Sequence, residues 1–540
     1  MSQPKQPTNG GALATLVIVF FFWGFIAASN SIFIPFCRTH FNLNQFQSQL
    51  IGSAFYGAYF IGSLFLYLFS AFSGYDILNK IGYKKGIVLG LLISVAGALL
   101  IIPSANFNSF PAILGAFFVV ALGFSLQQTA AQPFAISLGD PATGTHRLNL
   151  GGGVNSLGTT LGPIIVSYFL FGTPSASNEH VTVTNINTLY LIVAAVFLAV
   201  ALFFAFSKLP EGKDDSPFEG SKKASGSLIT LTILMIVIIL IGQFTEIGKL
   251  ELTGLTIVLV MAVLLYSNSR AVKNGDGWGA MRYPQLVLGM LGIFLYVGVE
   301  VTIDNNFGAL LKTPGYLTDA GLLDKDISKY VSLYWGSLMI GRWTGAISVF
   351  NLSAVGRRIA TVVVPFIAFG IILFINHLYG NNIENLLPYA IWVAVAVAAF
   401  IFGQEKPVKT LLTVTLLATA AMIIGVSAKG IFSVYAIMAG GLFCSVMWPS
   451  IFALAIAGLG KYTSQGSAFL IMMILGGAVI PPFQGSIGDI TNANGSNNMH
   501  ISYLVAAACF AALAILAIRM RSILKSQGLN FDEQIGGAAH

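Results

Sequence analysis

The sequence predicts an all-α polytopic membrane protein, and three observations predict it. Hydrophobic residues make up 56% of the 540-residue chain and charged ones only 9%, against soluble averages of about 45 to 50% and about 25%. That is too little charge to coat a water-facing surface. The 42 Phe and 58 Gly suit lipid-facing surface and close helix packing. Apolar runs near the spanning length of about 20 residues recur from one end of the chain to the other.

The first run, 13 to 36, is too long for a signal-peptide core and lacks an obvious small-residue cleavage site, so a retained first span is expected. Runs at about 50 to 72, 86 to 103, 110 to 136, 148 to 172 and 188 to 207 complete six helices. Lys208 to Ser227 is charged, rich in Gly and Ser and holds Pro210 and Pro217, which predicts an exposed linker. Two short runs follow, 228 to 244 and 252 to 267, close to the lower limit for spanning. Longer ones lie near 285 to 311, 329 to 350, 358 to 376, 387 to 403, 408 to 428, 430 to 457, 466 to 487 and 500 to 520, sixteen runs in all.

A weak internal repeat selects a core of twelve. Gln132-Pro133 leads through Gly139 into Leu150-Gly151-Gly152-Gly153 and Pro163, and Trp448-Pro449 leads through Gly460 into Gly476-Gly477 and Pro481-Pro482. The basic loop Asn79-Lys80-Ile81-Gly82-Tyr83-Lys84-Lys85 is matched by Ser353-Ala354-Val355-Gly356-Arg357-Arg358. Two six-helix halves related by repetition are a transporter signature. In this register residues 1–207 form an N-terminal bundle and 208–227 a cytoplasmic linker. Residues 228–283 form an extra hairpin with its connecting loop, and 284–540 a C-terminal bundle with a second hairpin inserted at about 358–403.

The formal net charge is +7. With the N-terminus inside, all but seven of the 27 Lys and Arg fall in inner loops and tails; the outer loops receive Arg38, Lys249, Lys312, Lys325, Lys329 and Lys429, and Arg342 lies in a helix near its inner end. That bias sets orientation by the positive-inside rule and accounts for the basic balance without a nucleic-acid partner. Both termini are expected in the cytoplasm, with the chain in the plasma membrane, the inner membrane of a Gram-negative cell. Cys37, Cys444 and Cys509 lie in or beside apolar runs and give neither a disulfide framework nor metal-ligand spacing. No metal or cofactor is expected, and the simplest assembly is a monomer in contact with membrane lipid.

The loop Asn79 to Lys85 resembles the loop signature of the major facilitator superfamily, with Asn79 where an acidic residue is usual. Gln127-Gln128-Thr129-Ala130-Ala131-Gln132-Pro133-Phe134, followed by Gly139, Gly144, Arg147-Leu148-Asn149-Leu150 and Asn155-Ser156-Leu157-Gly158, is similar to the fourth and fifth helices of the fucose-galactose-glucose symporters. Gln49-Leu50-Ile51-Gly52-Ser53-Ala54-Phe55-Tyr56 with Ala58-Tyr59-Phe60, Tyr296-Val297-Gly298-Val299-Glu300, and Tyr334-Trp335-Gly336 through Gly341-Arg342 extend the match over both halves. The glucose/galactose branch is resembled more closely than the fucose permeases. The resemblance implies the major facilitator fold and a secondary active transporter that imports a hexose, glucose and/or galactose, by alternating access coupled to Na⁺ or H⁺. It implies a gating role for Asn79, Lys80, Gly82, Lys84 and Lys85, and sugar contact for Asn155. The fucose permeases' helix 1 Asp falls here on Ser31, after Asn30, and their helix 4 Glu falls on Gln128. Neither residue binds a proton, so the fucose-type coupling scheme does not transfer.

Coupling chemistry then needs another carboxylate, and each one inside a span costs on the order of 3 kcal/mol. Of the 20 Asp and Glu, only Glu300 and Asp304 lie well within a run, four residues apart on one helical face with Tyr296. Thr302, Asn305 and Asn306 add oxygen acceptors for a hard cation, and Asp304-Asn305-Asn306 are expected to mark an unwound mid-helix; the alternative is that Asp304 ends a shorter helix in solvent. A sugar needs amide and hydroxyl partners plus an aromatic plate. Gln127, Gln128, Gln132 and Asn155, with Asn30, are the candidate polar fence, and Trp335 or Trp448 the plate. The competing assignments are interhelical glue for the amides, interfacial anchoring for Trp335, core packing for Trp448, and a close-packing surface at Gly151 to Gly153. An efflux transporter for amphipathic molecules would favour a more apolar cavity. A membrane-embedded enzyme is disfavoured by the lack of an ATP-binding Gly-rich loop, a His-Glu-x-x-His or an acid-base pair.

Overall fold

In hydrocarbon every backbone N–H and C=O must find its partner within the protein, which leaves an apolar run little choice but helix. The computed structural model describes residues 8–42, 45–140, 143–171, 182–210, 221–245, 247–322, 324–350, 352–403, 406–490 and 498–529, with backbone alone at 26–36, 38–39, 45–50, 53, 163–164, 166–171, 243 and 324–326. Among the described residues all regular structure is helical. The first half comprises α1 (Gly10–His40), α2 (Gln45–Ser73), α3 (Tyr83–Asn106), α4 (Phe110–Ser137), α5 (Gly144–Phe171) and α6 (Val183–Phe206). A hairpin of α7 (Lys222–Phe244) and α8 (Lys249–Lys273) precedes α9 (Pro284–Leu311) and α10 (Asp324–Ala346). A second hairpin, α11 (Ala354–Leu378) and α12 (Ala390–Gly403), precedes α13 (Pro407–Ser427). Last come α14 (Gly430–Cys444, continued as Met447–Ile456), α15 (Thr463–Met472, continued as Gly476–Gly488) and α16 (Leu504–Ser526). Among the described residues thirteen helices are long and apolar enough to cross a membrane; α1, α5 and α10 account for the rest of the sixteen runs.

The repeat in the sequence is a repeat in packing. Helix α3 lies against α4 and α6, and its counterpart α13 against α14 and α16; α1 pairs with α5 as α9 pairs with α15. Both of the latter crossings are backbone-close. A Cβ on Gly24 would strike the carbonyl of Asn155, and one on Gly158 the carbonyl of Phe21; in the second half a Cβ on Gly476 would strike the carbonyl of Phe294. Small residues that let backbones approach are the usual basis of such packing in a bilayer.

Both hairpins pack on the outside of this core. Helix α8 rests on α15 and α9, α11 rests on α10, and α12 fits beside α11, α13 and α14. Ile233, Ile239, Val258, Phe374 and Ile401 are exposed along their outer faces, as lipid-facing residues are. Helices α7 and α8 have 23 and 25 residues, roughly 35 Å at 1.5 Å per residue, enough to span. They exceed the short apolar runs because Lys222 to Gly226 and Asn268 to Lys273 continue the helices with polar residues. The linker therefore gives way to helix at Lys222, before Ser227.

Helix α9 runs unbroken through Asp304-Asn305-Asn306, contrary to the expected unwinding and to an early end at Asp304. The polar side chains do not compete with the backbone there; Asn306 Nδ2 donates to the Thr302 carbonyl at 3.1 Å, within the turn. The breaks fall in α14, after Cys444, and in α15, at the 3₁₀ turn Met473–Leu475. Pro449 follows the first break, and Pro481 and Pro482 the second; each lacks an N–H to give the preceding turn.

Candidate functional site

The halves meet along α5 with α10, α2 with α15, and α4 with α15. Gly152 and Gly153, free of side chains, admit Arg342 and Trp343 of α10. The Trp343 indole donates to the Gly153 carbonyl at 3.1 Å, and His146 Nδ1 donates to the Gly345 carbonyl at 2.9 Å. Toward the end bearing the α2–α3 loop, Ser467 Oγ donates to the Thr129 carbonyl at 2.9 Å and the rings of Tyr67 and Phe469 meet edge to face at 4.7 Å.

That loop holds the residues with the family signature. Gly82, at φ 85°, ends the short helix Ile77–Ile81 and starts α3, a backbone state that favours glycine. Lys84 Nζ donates to the Ser207 carbonyl at 2.7 Å, Lys80 lies 3.9 Å from the centre of the Tyr75 ring, and Asn79 is buried. An acid stands three residues earlier, at Asp76. Its Oδ1 accepts the Asn79 N–H at 3.0 Å and the Ser464 hydroxyl of α15 at 3.0 Å, joining the halves.

Midway along α9, Glu300 Oε1 accepts the Tyr296 hydroxyl at 2.7 Å and Arg342 Nη2 at 3.4 Å. Arg342 Nη1 donates across to Ser156 Oγ of α5 at 2.9 Å, and the Tyr334 hydroxyl donates to the Glu300 carbonyl at 2.7 Å. One turn on, Asp304 lies beside Trp335, and its Oδ1 is buried without a hydrogen-bond partner. A buried, unpartnered carboxylate oxygen is costly, and a bound cation or proton is what would relieve it. Trp448 lies beside Tyr296 at 6.1 Å and stacks on Phe452 at 6.0 Å; Trp335 meets Tyr334 at 5.6 Å.

The oxygen set on this face is smaller than the sequence suggested. Thr302 and Asn306 are turned about 200° from Glu300 and Asp304 by the 100° step of a helix. They bond α15, with Thr302 Oγ1 donating to Gln484 Oε1 at 2.9 Å and Asn306 Nδ2 donating to the Pro481 carbonyl at 3.4 Å. Asn305 is exposed on a different side from Glu300.

Across from α9, the candidate amides separate by one helical step. Gln127 is buried within the first half, accepting the Trp23 indole N–H at 2.5 Å and donating to Ser94 Oγ at 3.1 Å; it joins three helices and leaves nothing for a ligand. Gln128 is half-buried and donates to the Tyr59 hydroxyl at 3.0 Å. Asn155, also half-buried, donates to the Phe20 carbonyl at 3.0 Å. Gln132 is buried, and the side chains of Asn30 and Ser31 lie outside the described residues. Tyr56 of α2 is within electrostatic range of Glu300 and Asp304. Glu300, Asp304, Arg342, Trp335, Trp448, Gln128 and Asn155 share one property: all are partly exposed although they lie inside long helices.

Arg342, Ser156, Tyr334 and Asp76 were not singled out by the sequence as functional. One signal was available for Arg342. A guanidinium in a membrane helix needs a carboxylate, and few were within reach.

Residues 15–405 match the Major Facilitator Superfamily. The chain is 30% identical over 514 residues to a glucose/galactose transporter of Brucella abortus (strain 9-941), covering 95% of each chain. It is 25% identical over 524 residues to the L-fucose-proton symporter of Escherichia coli K12, covering 94% of this chain and 92% of that one. A solved structure of the E. coli fucose:proton symporter FucP superposes with a TM-score of 0.61 at 23% identity, over 94% of this chain and 98% of that one.

Proposed function

Because this chain belongs to the major facilitator superfamily, and within it to the fucose-galactose-glucose symporters, we propose that it imports a hexose, glucose and/or galactose, with Na⁺ or H⁺. Membership makes it a multi-pass membrane transporter rather than an enzyme. The observation that carries the proposal is that partly exposed polar and aromatic side chains lie inside long helices of both halves, which the Arg342–Ser156 hydrogen bond joins. The first half holds Gln128, bonded to the buried Tyr59, and Asn155, and the second the carboxylates Glu300 and Asp304 with Trp335 and Trp448. A pyranose needs both amide partners and an aromatic plate, and buried amides reject analogues that leave them unpaired.

In this reading Asp304 and Glu300 carry the cation and Arg342 reports its arrival. Charge added at Glu300 by a proton or a metal ion weakens the hold on Arg342, whose other nitrogen bridges to Ser156 in the opposite half. The polar contacts joining Asp76 to Ser464 and Thr129 to Ser467 keep the basic end shut, and positive-inside topology makes that end cytoplasmic.

The test is uptake of radiolabelled glucose and galactose into sealed vesicles, first with a Na⁺ gradient at constant pH and then with a pH gradient without Na⁺. One charge moved across about 100 mV is about 2.3 kcal/mol, which supports roughly forty-fold accumulation at about 1.4 kcal/mol per tenfold. Glu300→Gln is expected to abolish accumulation. Absence of saturable hexose uptake under either gradient would sink the proposal, and full accumulation by the variant would remove Glu300 from coupling.

A further inference from the structure

Beside the twelve-helix core, the first hairpin carries a feature that transport does not use. Helices α7 and α8 both line a groove of about 740 Å³ at the basic end. Its mouth carries Lys223, Arg270 and Lys273, and its wall between the helices is formed by Ala262, Val263 and Tyr266. Among the described residues no carboxylate lines it; Asp276, in the turn after α8, is exposed beyond the lining.

The charge distribution at the start of α7 is unusual for a helix end. Lys222 and Lys223 occupy the first turn of α7, which holds no acidic residue. Cations at that end oppose the helix dipole, and an anion is the favourable occupant. Arg270, with its guanidinium 5.5 Å from the Tyr266 ring centre, and Lys273 approach from the last turn of α8. Three cations thus line one groove at the basic ends of α7 and α8, beside the apolar Ala262, Val263 and Tyr266.

We propose that this groove binds an anionic phospholipid, its phosphate between Lys223, Arg270 and Lys273 and the start of an acyl chain along Ala262 and Val263. Charge complementarity selects the headgroup, since a neutral zwitterion places its own cation among three others. The apolar wall selects a lipid over free phosphate, which would bury nothing there. The hairpin, outside the transport path, is in this view a lipid-anchored brace against α9 and α15.

The experiment uses the purified full-length protein in detergent, with bound lipid counted by native mass spectrometry and the unfolding midpoint followed by fluorescence. Dioleoyl-phosphatidylglycerol, dioleoyl-phosphatidylcholine and inorganic phosphate are added separately. Only phosphatidylglycerol is expected to be retained and to raise the midpoint. Each interfacial cation contributes roughly fivefold to anionic-lipid affinity, so Lys223→Gln/Arg270→Gln/Lys273→Gln should lose retention more than about tenfold. Lys406→Gln/Lys409→Gln, basic residues elsewhere, should keep it. Ala262→Trp, which fills the wall and keeps every charge, should lose it too, with all variants eluting as single species. Equal loss in the Lys406/Lys409 variant, full retention in the triple variant or in Ala262→Trp, or an equal effect of inorganic phosphate would overturn the assignment. So would a wild type indifferent to phosphatidylglycerol, the result expected if the linker carboxylates Glu211, Asp214, Asp215 and Glu219 fill the groove instead.

Discussion

Arg342 holds Glu300 at 3.4 Å with one terminal nitrogen while the other donates to Ser156 in the opposite half at 2.9 Å. The two side chains are 14% and 12% exposed, so the pair is neither a surface ion pair worth little nor a fully dry one. It ties the charge of one candidate coupling residue to the contact between the halves.

Removing one partner of a buried pair leaves a charge behind and costs about 3 kcal/mol or more. Glu300→Gln and Arg342→Gln should each lower the melting temperature in detergent, and the double variant should lose less than the sum of the two. Strict additivity across this cycle would mean the pair contributes no coupling energy.

The adjacent glutamines should behave differently. Gln127→Ala strands the Trp23 N–H, takes a donor from Ser94 Oγ, which keeps its own bond to the Val120 carbonyl, and should destabilise the fold by about 1–3 kcal/mol. Gln128→Ala and Asn155→Ala should melt near wild type yet lose sugar affinity about fivefold or more, at about 1 kcal/mol per net hydrogen bond. Wild-type affinity in both would remove them from the sugar site.

Asp76→Ala takes away a helix cap worth about 1 kcal/mol together with the link to Ser464. Losing the Ser464 link, a hydrogen bond worth about 1 kcal/mol net, should move the balance toward the state open at the basic end by about fivefold. Spin labels at Lys85 and Lys461 should report a larger population of long distances by pulsed EPR. An unchanged distribution would show that Asp76 merely caps its own turn.

Gly476→Ala places a methyl against the Phe294 carbonyl, a backbone atom that cannot step aside. Overpacking of this kind costs about 1–3 kcal/mol, and transport should fall with stability. Gly370 of α11 has open space around it, so Gly370→Ala should be neutral or stabilising by up to about 1 kcal/mol. Equal effects at the two sites would contradict the close α9–α15 crossing.

Cysteines placed at Ile239 and Phe374, on the outer faces of the two hairpins, should react with lipid-soluble reagents and resist aqueous maleimides, with or without sugar. Protection by glucose would place a hairpin against the transport path.

The features legible from the residues alone are those that depend on local order along the chain. Apolar length decides membrane helix, because hydrocarbon offers the backbone no other partner; the 3.6-residue period puts Tyr296, Glu300 and Asp304 on one face before any neighbour is known. The Pro and Gly spacings exposed the repeat, since they act on their own turns. Tertiary structure alone decided what lies across from each face. It turned Thr302 and Asn306 toward Gln484 and Pro481, away from the carboxylates. It buried Gln127 as a link between helices and left Gln128, one step around, half-exposed. It joined Arg342 to Glu300 over 42 positions and Asp76 to Ser464 over 388. The reason is physical: a helix dictates the direction of its side chains, but the partner each one meets is set by packing between helices far apart in sequence, through crossings that glycines at Gly24, Gly158 and Gly476 bring to backbone contact.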